Sequence, residues 1–387
     1  MQLATLGAVN RRKGFTLVEL IVILGVIAIL AAIAVPLAFR IFQVTAEEAT
    51  REEMANLKGA MIGDPRKLQS HFRSDFGFLG DIGRIPANLD ELLTRGSLAA
   101  FAFDTSKQAG AGWKGPYITG AAAGEEPEDF KKDQWGNDYS YSDADFTNAD
   151  GQAADGKITS AGPDGVFNGP PPAGDDIVLE ILKNETTATV RGKVKDTARV
   201  GLEGAPVEYY SAVNGVLTTT TAITDANGEY VFTSAPFGPR AVKAKPSFVL
   251  APGTVVANNE DLLFKVNNFS ESSVTITHIM AEFSGGLNYD QIRINGTTVD
   301  NANNFVSGQK VDITDTTIAA SPAARPSMRV FIDNPDTQLP DITISGQATT
   351  ATIELNNFNS DVEGAGITFK ITLFTGNTVV GVVVFTT

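Results

Sequence analysis

The chain contains no cysteine, so disulfides, thiolate metal ligands and cysteine nucleophiles are all excluded. Histidine is almost absent too, with His71 and His278 the two examples. Neither stands beside a serine or carboxylate motif, and no Gly-x-Ser-x-Gly elbow occurs to pair a nucleophile with a base. The composition therefore speaks against an enzyme. Basic residues are the third scarcity: 30 Lys and Arg stand against 45 Asp and Glu, a formal net charge of −15 over 387 residues. Phosphate backbones require a basic face, which excludes nucleic acid as a partner. An acidic surface suits a protein exposed outside a cell, where it can also hold cations. Without disulfides, such a protein draws its cohesion from packing, metal ions or assembly.

Charge is also missing locally. Leu20 to Phe39 is a run of twenty residues with none, and as a helix it spans about 30 Å of hydrocarbon. Arg11, Arg12 and Lys13 precede the run, which keeps the N-terminus cytoplasmic and puts everything after Arg40 outside. The run is too long for a secretory signal peptide and lacks a polar cleavage region after it. A plain anchor leaves Glu19 unexplained, because a carboxylate at the border of an apolar helix is costly and needs a partner. Pro36 lies inside the helix, where it removes one backbone hydrogen bond and permits a kink. Helical character continues through Ile62, with Glu47 and Arg51 paired at i, i+4 and Leu57 and Met61 on one core-facing stripe. Asp64-Pro65 predicts the cap and first turn of a further helix toward Phe72. Asn88 with Glu91 predicts a capping box, closed by Gly96.

The run Gly14-Phe15-Thr16-Leu17-Val18-Glu19, within Arg11 to Pro36, resembles the N-terminus of type IV pilins and pseudopilins. The resemblance implies cleavage after Gly14 by a prepilin peptidase and methylation of the new N-terminus at Phe15. It also implies that Glu19 neutralises the terminal ammonium of a neighbouring subunit. The partners that follow are the inner membrane before assembly, an assembly platform in it, and other copies of the chain or other pilins in a helical filament. Pro36 matches the family's proline, whereas the glycine often found eight residues earlier is Ala28 here, with Gly25 nearby.

Trp113-Lys114-Gly115-Pro116-Tyr117-Ile118 and Asp133-Gln134-Trp135-Gly136-Asn137-Asp138-Tyr139 resemble paired landmarks of the major pseudopilin of type II secretion. Ser160-Ala161-Gly162-Pro163-Asp164-Gly165, followed by Gly174-Asp175-Asp176-Ile177, is similar to the segments that bracket a calcium ion in that family. On this likeness Asp164 and Asp176 are the expected side-chain ligands, with Asp175 as substitute and Ser160 opening the loop. The loop departs from the family in its length and in Pro170 to Pro172. Read without the resemblance, aspartates among glycines simply favour turns. Gly151 to Lys157 imitates a phosphate-binding loop, but Ile158 stands where Ser or Thr should hold magnesium.

After Lys183 the pattern changes to alternating strands. Val190 to Val194, Leu202 to Val207 and Thr224 to Phe232, with a tight turn at Asn227-Gly228, resemble the carboxypeptidase regulatory-like, transthyretin-like β-sandwich. Residues 254 to 387 add further strands, Met328 to Ile332 among them, spaced as in an immunoglobulin-like sandwich. The closing run Val379 to Phe385 is apolar on both faces and predicts a central strand. The expected fold class is α+β: a long pilin helix with a small pseudopilin β-sheet domain, followed by two all-β sandwich domains. The expected divisions are a leader at 1–14, a membrane and stalk helix at 15–63, a globular domain with the calcium loop at 64–183, and sandwiches at 184–252 and 253–387. The expected function is that of a structural filament subunit, in either a periplasmic secretion pseudopilus or a surface-displayed adhesive fibre. Residues 1–183 are expected to form a complete unit that assembles without the sandwiches.

Overall fold

The computed structural model describes residues 17–70, 72–118, 129–171, 174–196, 199–245, 248–251, 253–270, 272–302, 304–319, 327–344 and 349–387. The chain forms two compact units, one of residues 1–56, 123–140 and 158–179, the other of 57–122, 141–157 and 180–387. The segment expected at 64–183 as one domain is thus divided between them.

One helix of 46 residues, Leu17–Ile62, contains the whole apolar run and continues through Pro36. Its side chains are exposed along the membrane-length portion. Burial starts at Thr50 and recurs at Met54, Leu57 and Met61, the three-and-four spacing of one helix face. The expected pair forms on the solvent side, with Arg51 Nη2 2.9 Å from Glu47 Oε1. The helix stops at Gly63, which takes φ +81 and donates its N–H to Gly59 O at 2.7 Å. A Cβ there would sit 2.3 Å from the Asp75 carbonyl oxygen, so the stop and the packing behind it require the same glycine.

Two local expectations give way in the second unit. Asp64 opens no helix: its carboxylate accepts the Arg66 N–H at 2.9 Å in a side-chain-closed turn. A hairpin follows, pairing Leu68 with Arg73 and Gln69 with Phe72. A helix nucleus is costly, and a short polar segment with a competing turn does not propagate one. Likewise Asn88 makes no side-chain cap to the short 3-10 turn Leu89–Leu92. The Glu91 carboxylate accepts from Ala87 N and is held by Arg84 at 2.9 Å instead. Gly96 has the left-handed conformation, but lies beyond a turn that has already ended at Leu92.

From Thr187 onward the strands of the second unit build two β-structures. In the first, Val216–Ile223, Pro206–Val213, Gly238–Ala244 and Met328–Ile332 form one sheet in that order. A facing sheet contains Glu229–Pro236, Thr187–Lys195 and Asp336–Gln338, with Ile342–Thr343 also on Thr187–Lys195. The Tyr209 and Phe232 rings, one from each sheet, stack with centroids 5.1 Å apart. The turn at Asn227-Gly228 forms as the pattern predicts, with Asp225 Oδ1 accepting from Asn227 N and Glu229 N. It carries the chain from one sheet to the other, so it is not a hairpin turn.

The boundary expected at 252 and 253 does not hold. Met328–Ile332 pairs with Gly238–Ala244, and Asp336–Gln338 and Ile342–Thr343 pair in parallel with Thr187–Lys195. The chain therefore leaves the first β-structure after Ala244 and returns to it at Met328. Conversely Phe248–Leu250, expected in the earlier sandwich, pairs with Asp261–Asn268 and with the final strand. That final domain has a ten-stranded sheet and the separate strand pair Asn288–Tyr289 with Phe305–Val306 around a single core. The closing strand, Thr378–Thr386, is central by pairing, yet one face is open, with Val379, Val382 and Val384 exposed.

Candidate functional site

Among the described residues, Leu17–Ile62 is the one helix long and apolar enough to cross a membrane. None of its most apolar stretch is buried. Exposed leucine, isoleucine and valine over this length must be covered by lipid or by other helices. Glu19 lies in the first turn of this helix, and Pro36 lies within it. Gly14 and Phe15 lie outside the described residues.

The second candidate site lies in the first unit and starts from Asp133, which is 5% exposed. Asp133 Oδ1 accepts from Trp135 N at 3.1 Å and Asn137 N at 2.8 Å, while Gly136 takes φ +88 to close the turn. Asp133 Oδ2 accepts from Ser160 Oγ at 2.6 Å, and Asn137 Nδ2 donates to Gly162 O at 2.9 Å. Two segments far apart in sequence, the Trp-Gly-Asn turn and the Ser-x-Gly loop, are thereby fastened together. The stalk helix joins the same network, because Gln134 N donates to Thr50 Oγ1 at 3.2 Å and Tyr139 Oη to Glu53 Oε2 at 3.1 Å. Burial, with the Glu53 carboxylate next, pushes the Tyr139 phenol well above its usual range, so it remains a donor.

The expected cation ligands separate into two groups on this frame. Asp164 is exposed and braces its own loop, accepting from Val166 N and Asn168 Nδ2, each at 2.8 Å. Ser160 Oγ is committed to Asp133 and accepts from Gly162 N at 3.1 Å. Asp175 and Asp176 differ from both. Asp176 is 6% exposed, and its Oδ2 accepts from Gly169 N at 2.8 Å. The Oδ1 atoms of Asp175 and Asp176 are both buried with no hydrogen-bond partner. A buried carboxylate oxygen without a donor carries a desolvation cost that a cation would offset. The donor set is all oxygen, which fits a hard divalent cation such as calcium. Among the described residues no three acidic or histidine side chains converge, so waters and carbonyls would supply the other ligands.

In the sequence Asp133 stands out only as part of a landmark. Nothing in its spacing from Ser160 signals that the two will touch. The other landmark belongs to the second unit. There Trp113 Nε1 donates to Glu91 O at 2.8 Å, and Tyr117 Oη donates to Asp81 Oδ2 at 3.0 Å. The two landmarks, adjacent in order along the chain, thus organise different parts of the molecule. His278 lies on Val274–Glu282, a strand paired on both sides, 3.6 Å from exposed Asp312, and His71 lies outside the described residues.

Comparison with known proteins matches residues 9–35 to the prokaryotic N-terminal methylation motif. No curated protein matches the chain. Among solved structures, the full-length major pilin SpaD from Corynebacterium diphtheriae is similar at 13% identity, over 52% of this chain and 64% of that one, with a TM-score of 0.21. The T6 backbone pilin of Streptococcus pyogenes is similar at 10% identity, over 53% of this chain and 45% of that one, with a TM-score of 0.19. A putative carbohydrate binding protein from Bacteroides uniformis is similar at 11% identity, over 52% and 99%, with a TM-score of 0.24. The chain spans less than two thirds of the length of either pilin.

Proposed function

We propose that this chain is a structural subunit of a type IV pilus-like or pseudopilus filament, processed by a prepilin peptidase and polymerised from the inner membrane. The observation that carries this reading is the methylation motif at residues 9–35 running directly into an exposed apolar helix. In the membrane that helix is covered by lipid. In a fibre the same surface is covered by neighbouring helices, so subunits move from one apolar environment to another without exposure to water. Removing residues 1–14 frees an ammonium at Phe15. Glu19, one helical turn further on, supplies the opposite charge for a neighbour, and two unlike charges in a low-dielectric bundle stabilise each other when they meet. Mass spectrometry of the assembled protein tests this. A mature N-terminus at methylated Phe15 is expected, and an intact Met1 or cleavage within the apolar run would overturn it.

We further propose that the aspartate loop holds one calcium ion, through Asp175 and Asp176 rather than through Asp164. The two orphaned Oδ1 atoms support this reading. The bulk of the strands from Thr187 to Thr386 supports a surface fibre, while the pseudopilin-like landmarks at Trp113 and Trp135 support a periplasmic one. Electron microscopy of sheared cell-surface material distinguishes them. Long extracellular fibres bearing this chain are expected, and retention of the chain behind the outer membrane would favour secretion.

A further inference from the structure

A cleft of about 500 Å³ opens on the first β-structure and is lined wholly by residues of the second unit. Its floor follows from strand alternation. Along Met328–Ile332 the side chains of Val330 and Ile332 are buried, so Arg329 and Phe331 fall on the opposite face. Pro239, opposite Phe331 on the neighbouring strand, lines the cleft with them. From the hairpin side Phe72 and Phe76 come across to the same ring. Phe331 stacks with Phe72 at a centroid distance of 5.9 Å and with Phe76 at 6.4 Å. Phe72 is nonetheless 58% exposed, so much of its ring still faces water.

Charge is the second feature of this lining. Arg73, Lys114 and Arg329 bring three cations to one cleft, in a chain whose net charge is −15. Among the described residues none of the three forms an ion pair. Arg73 is 6% exposed, and its guanidinium donates to carbonyls, from Nε to Asp75 O at 2.8 Å and from Nη2 to Ile62 O at 2.5 Å. Its Nη1 makes no hydrogen bond among the described residues. Lys114 lies over the Phe101 ring and Arg329 over the Phe331 ring, 5.0 Å and 5.3 Å from the centroids. Both carboxylates of the lining are already answered, Asp75 by Lys67 at 2.8 Å and Asp81 by the Tyr117 hydroxyl at 3.0 Å. A guanidinium held this far from water without a carboxylate is costly, and an anion offsets that cost.

We infer that this cleft is a binding site for an aromatic carboxylate, its flat ring laid against the phenylalanine stack and its single negative charge set among the cations of the lining. A further ring extends a stack that already exists. Guanidinium is the cation that both lies against aromatic faces and pairs with a carboxylate through two parallel donors. A monoanion suits the site better than a phosphate, because Asp75 and Asp81 share the lining and oppose a second negative charge. A neutral ring would leave the cations unpaired, and an anion without a ring would leave Phe72 in water. The volume is that of clefts that hold small molecules. The inference stands on the cleft itself and not on the filament reading.

Fluorine NMR of para-fluorobenzoate with the full chain in detergent micelles tests it, with empty micelles as the reference for partitioning. Three further probes separate the features. Para-fluorobenzamide keeps the ring without the charge, trifluoroacetate keeps the charge without the ring, and para-fluorophenyl phosphate adds a second charge. The benzoate is expected to bind about tenfold more tightly than each of them. Binding no tighter than the amide, the acetate or the phosphate, or none beyond that of empty micelles, would overturn the inference. Phe72→Ala and Arg329→Gln change exposed side chains of the lining, and thermal unfolding checks that each variant keeps the fold. Each is expected to weaken benzoate binding by about fivefold or more. Undiminished binding in either variant would put the probe elsewhere on the chain and remove the assignment.

Discussion

Arg240 is fully buried, and its charge faces carbonyls rather than a carboxylate. Its Nη1 donates to Gly80 O at 2.7 Å and its Nη2 to Phe237 O at 2.7 Å. Gly80 belongs to the short helix Gly77–Ile82, whose last turn presents free carbonyls to a cation. Arg240→Ala leaves those carbonyls buried without donors and opens a cavity, and is expected to lower stability by about 3 kcal/mol or more. Thermal unfolding of the full chain measures it. Asp81, in the same helix, behaves oppositely to a paired carboxylate: burial raises its pKa, although the Tyr117 hydroxyl and Lys114 act to lower it. The folded state therefore holds the Asp81 proton more tightly than the unfolded one. Its contribution to stability is present below the ordinary carboxylate range and is lost as pH rises through the raised value. Asp81→Asn keeps an acceptor for Tyr117 and is expected to flatten this part of the pH profile, while wild-type stability falls more steeply as pH rises above the ordinary carboxylate range. An unchanged slope in the variant would show that the Asp81 carboxylate is not the titrating group. At the membrane end, Glu19→Ala removes a costly carboxylate and should leave insertion intact. It should reduce fibre yield sharply, because a neighbouring ammonium then enters the bundle unpaired. Fibres as abundant as wild type on quantitative microscopy would refute the pairing.

At the scale of elements, local signals were legible where one segment decides its own fate. The uncharged run dictates a helix, Glu47 and Arg51 find each other one turn apart, and Asp225 closes the turn at Asn227-Gly228. Signals failed where two local solutions compete, as at Asp64, whose carboxylate closes a turn instead of capping a helix. They also failed where the partner is distant. The hydrogen bond from Ser160 Oγ to Asp133 Oδ2 bridges segments that no periodicity connects, and Asp175 and Asp176 rather than Asp164 are the aspartates left with buried, unpartnered oxygens. That choice is testable. An ion binding only the folded loop stabilises it by about 2.7 kcal/mol at a hundredfold excess over its dissociation constant. Chelation is expected to lower the melting temperature of the full chain and expose the 160–176 loop to protease. Asp175→Asn with Asp176→Asn should cancel the calcium response, whereas Asp164→Ala should weaken the loop yet keep that response. If Asp164→Ala alone abolishes it, the ligands are those the family likeness implies.

Across the whole molecule, a long helix followed by β domains holds, but contacts cross the boundaries expected at 183 and 252, and the reason is where buried side chains find their partners. The segment 57–122 clusters with 180–387. Lys58 Nζ lies 2.7 Å from Glu185 Oε2, the Phe76 ring stacks on Phe331, and Arg240 caps the helix Gly77–Ile82. The C-cap glycine of that helix, Gly83, takes φ +85, and a Cβ on it would come within 1.9 Å of Ala212 O. Such an approach is a core contact, not the touch of two independent domains. Residues 1–183 alone would expose Phe78, Leu79 and Ile82, which are at most 1% exposed in the full chain, and would lose the donors that cap their carbonyls. Truncation after Lys183 is therefore expected to give a membrane-inserted chain that is protease-sensitive and missing from fibres. A cut at 252 is expected to fare little better. It removes Met328–Ile332 from Gly238–Ala244 and Asp336–Gln338 from Thr187–Lys195, leaving two unpaired edges. Limited proteolysis of membranes carrying each truncation, with the full chain as reference, measures both. If residues 1–183 resist protease as the full chain does and enter fibres, the contacts of Lys58, Phe76 and Arg240 are dispensable and the front of the molecule folds on its own.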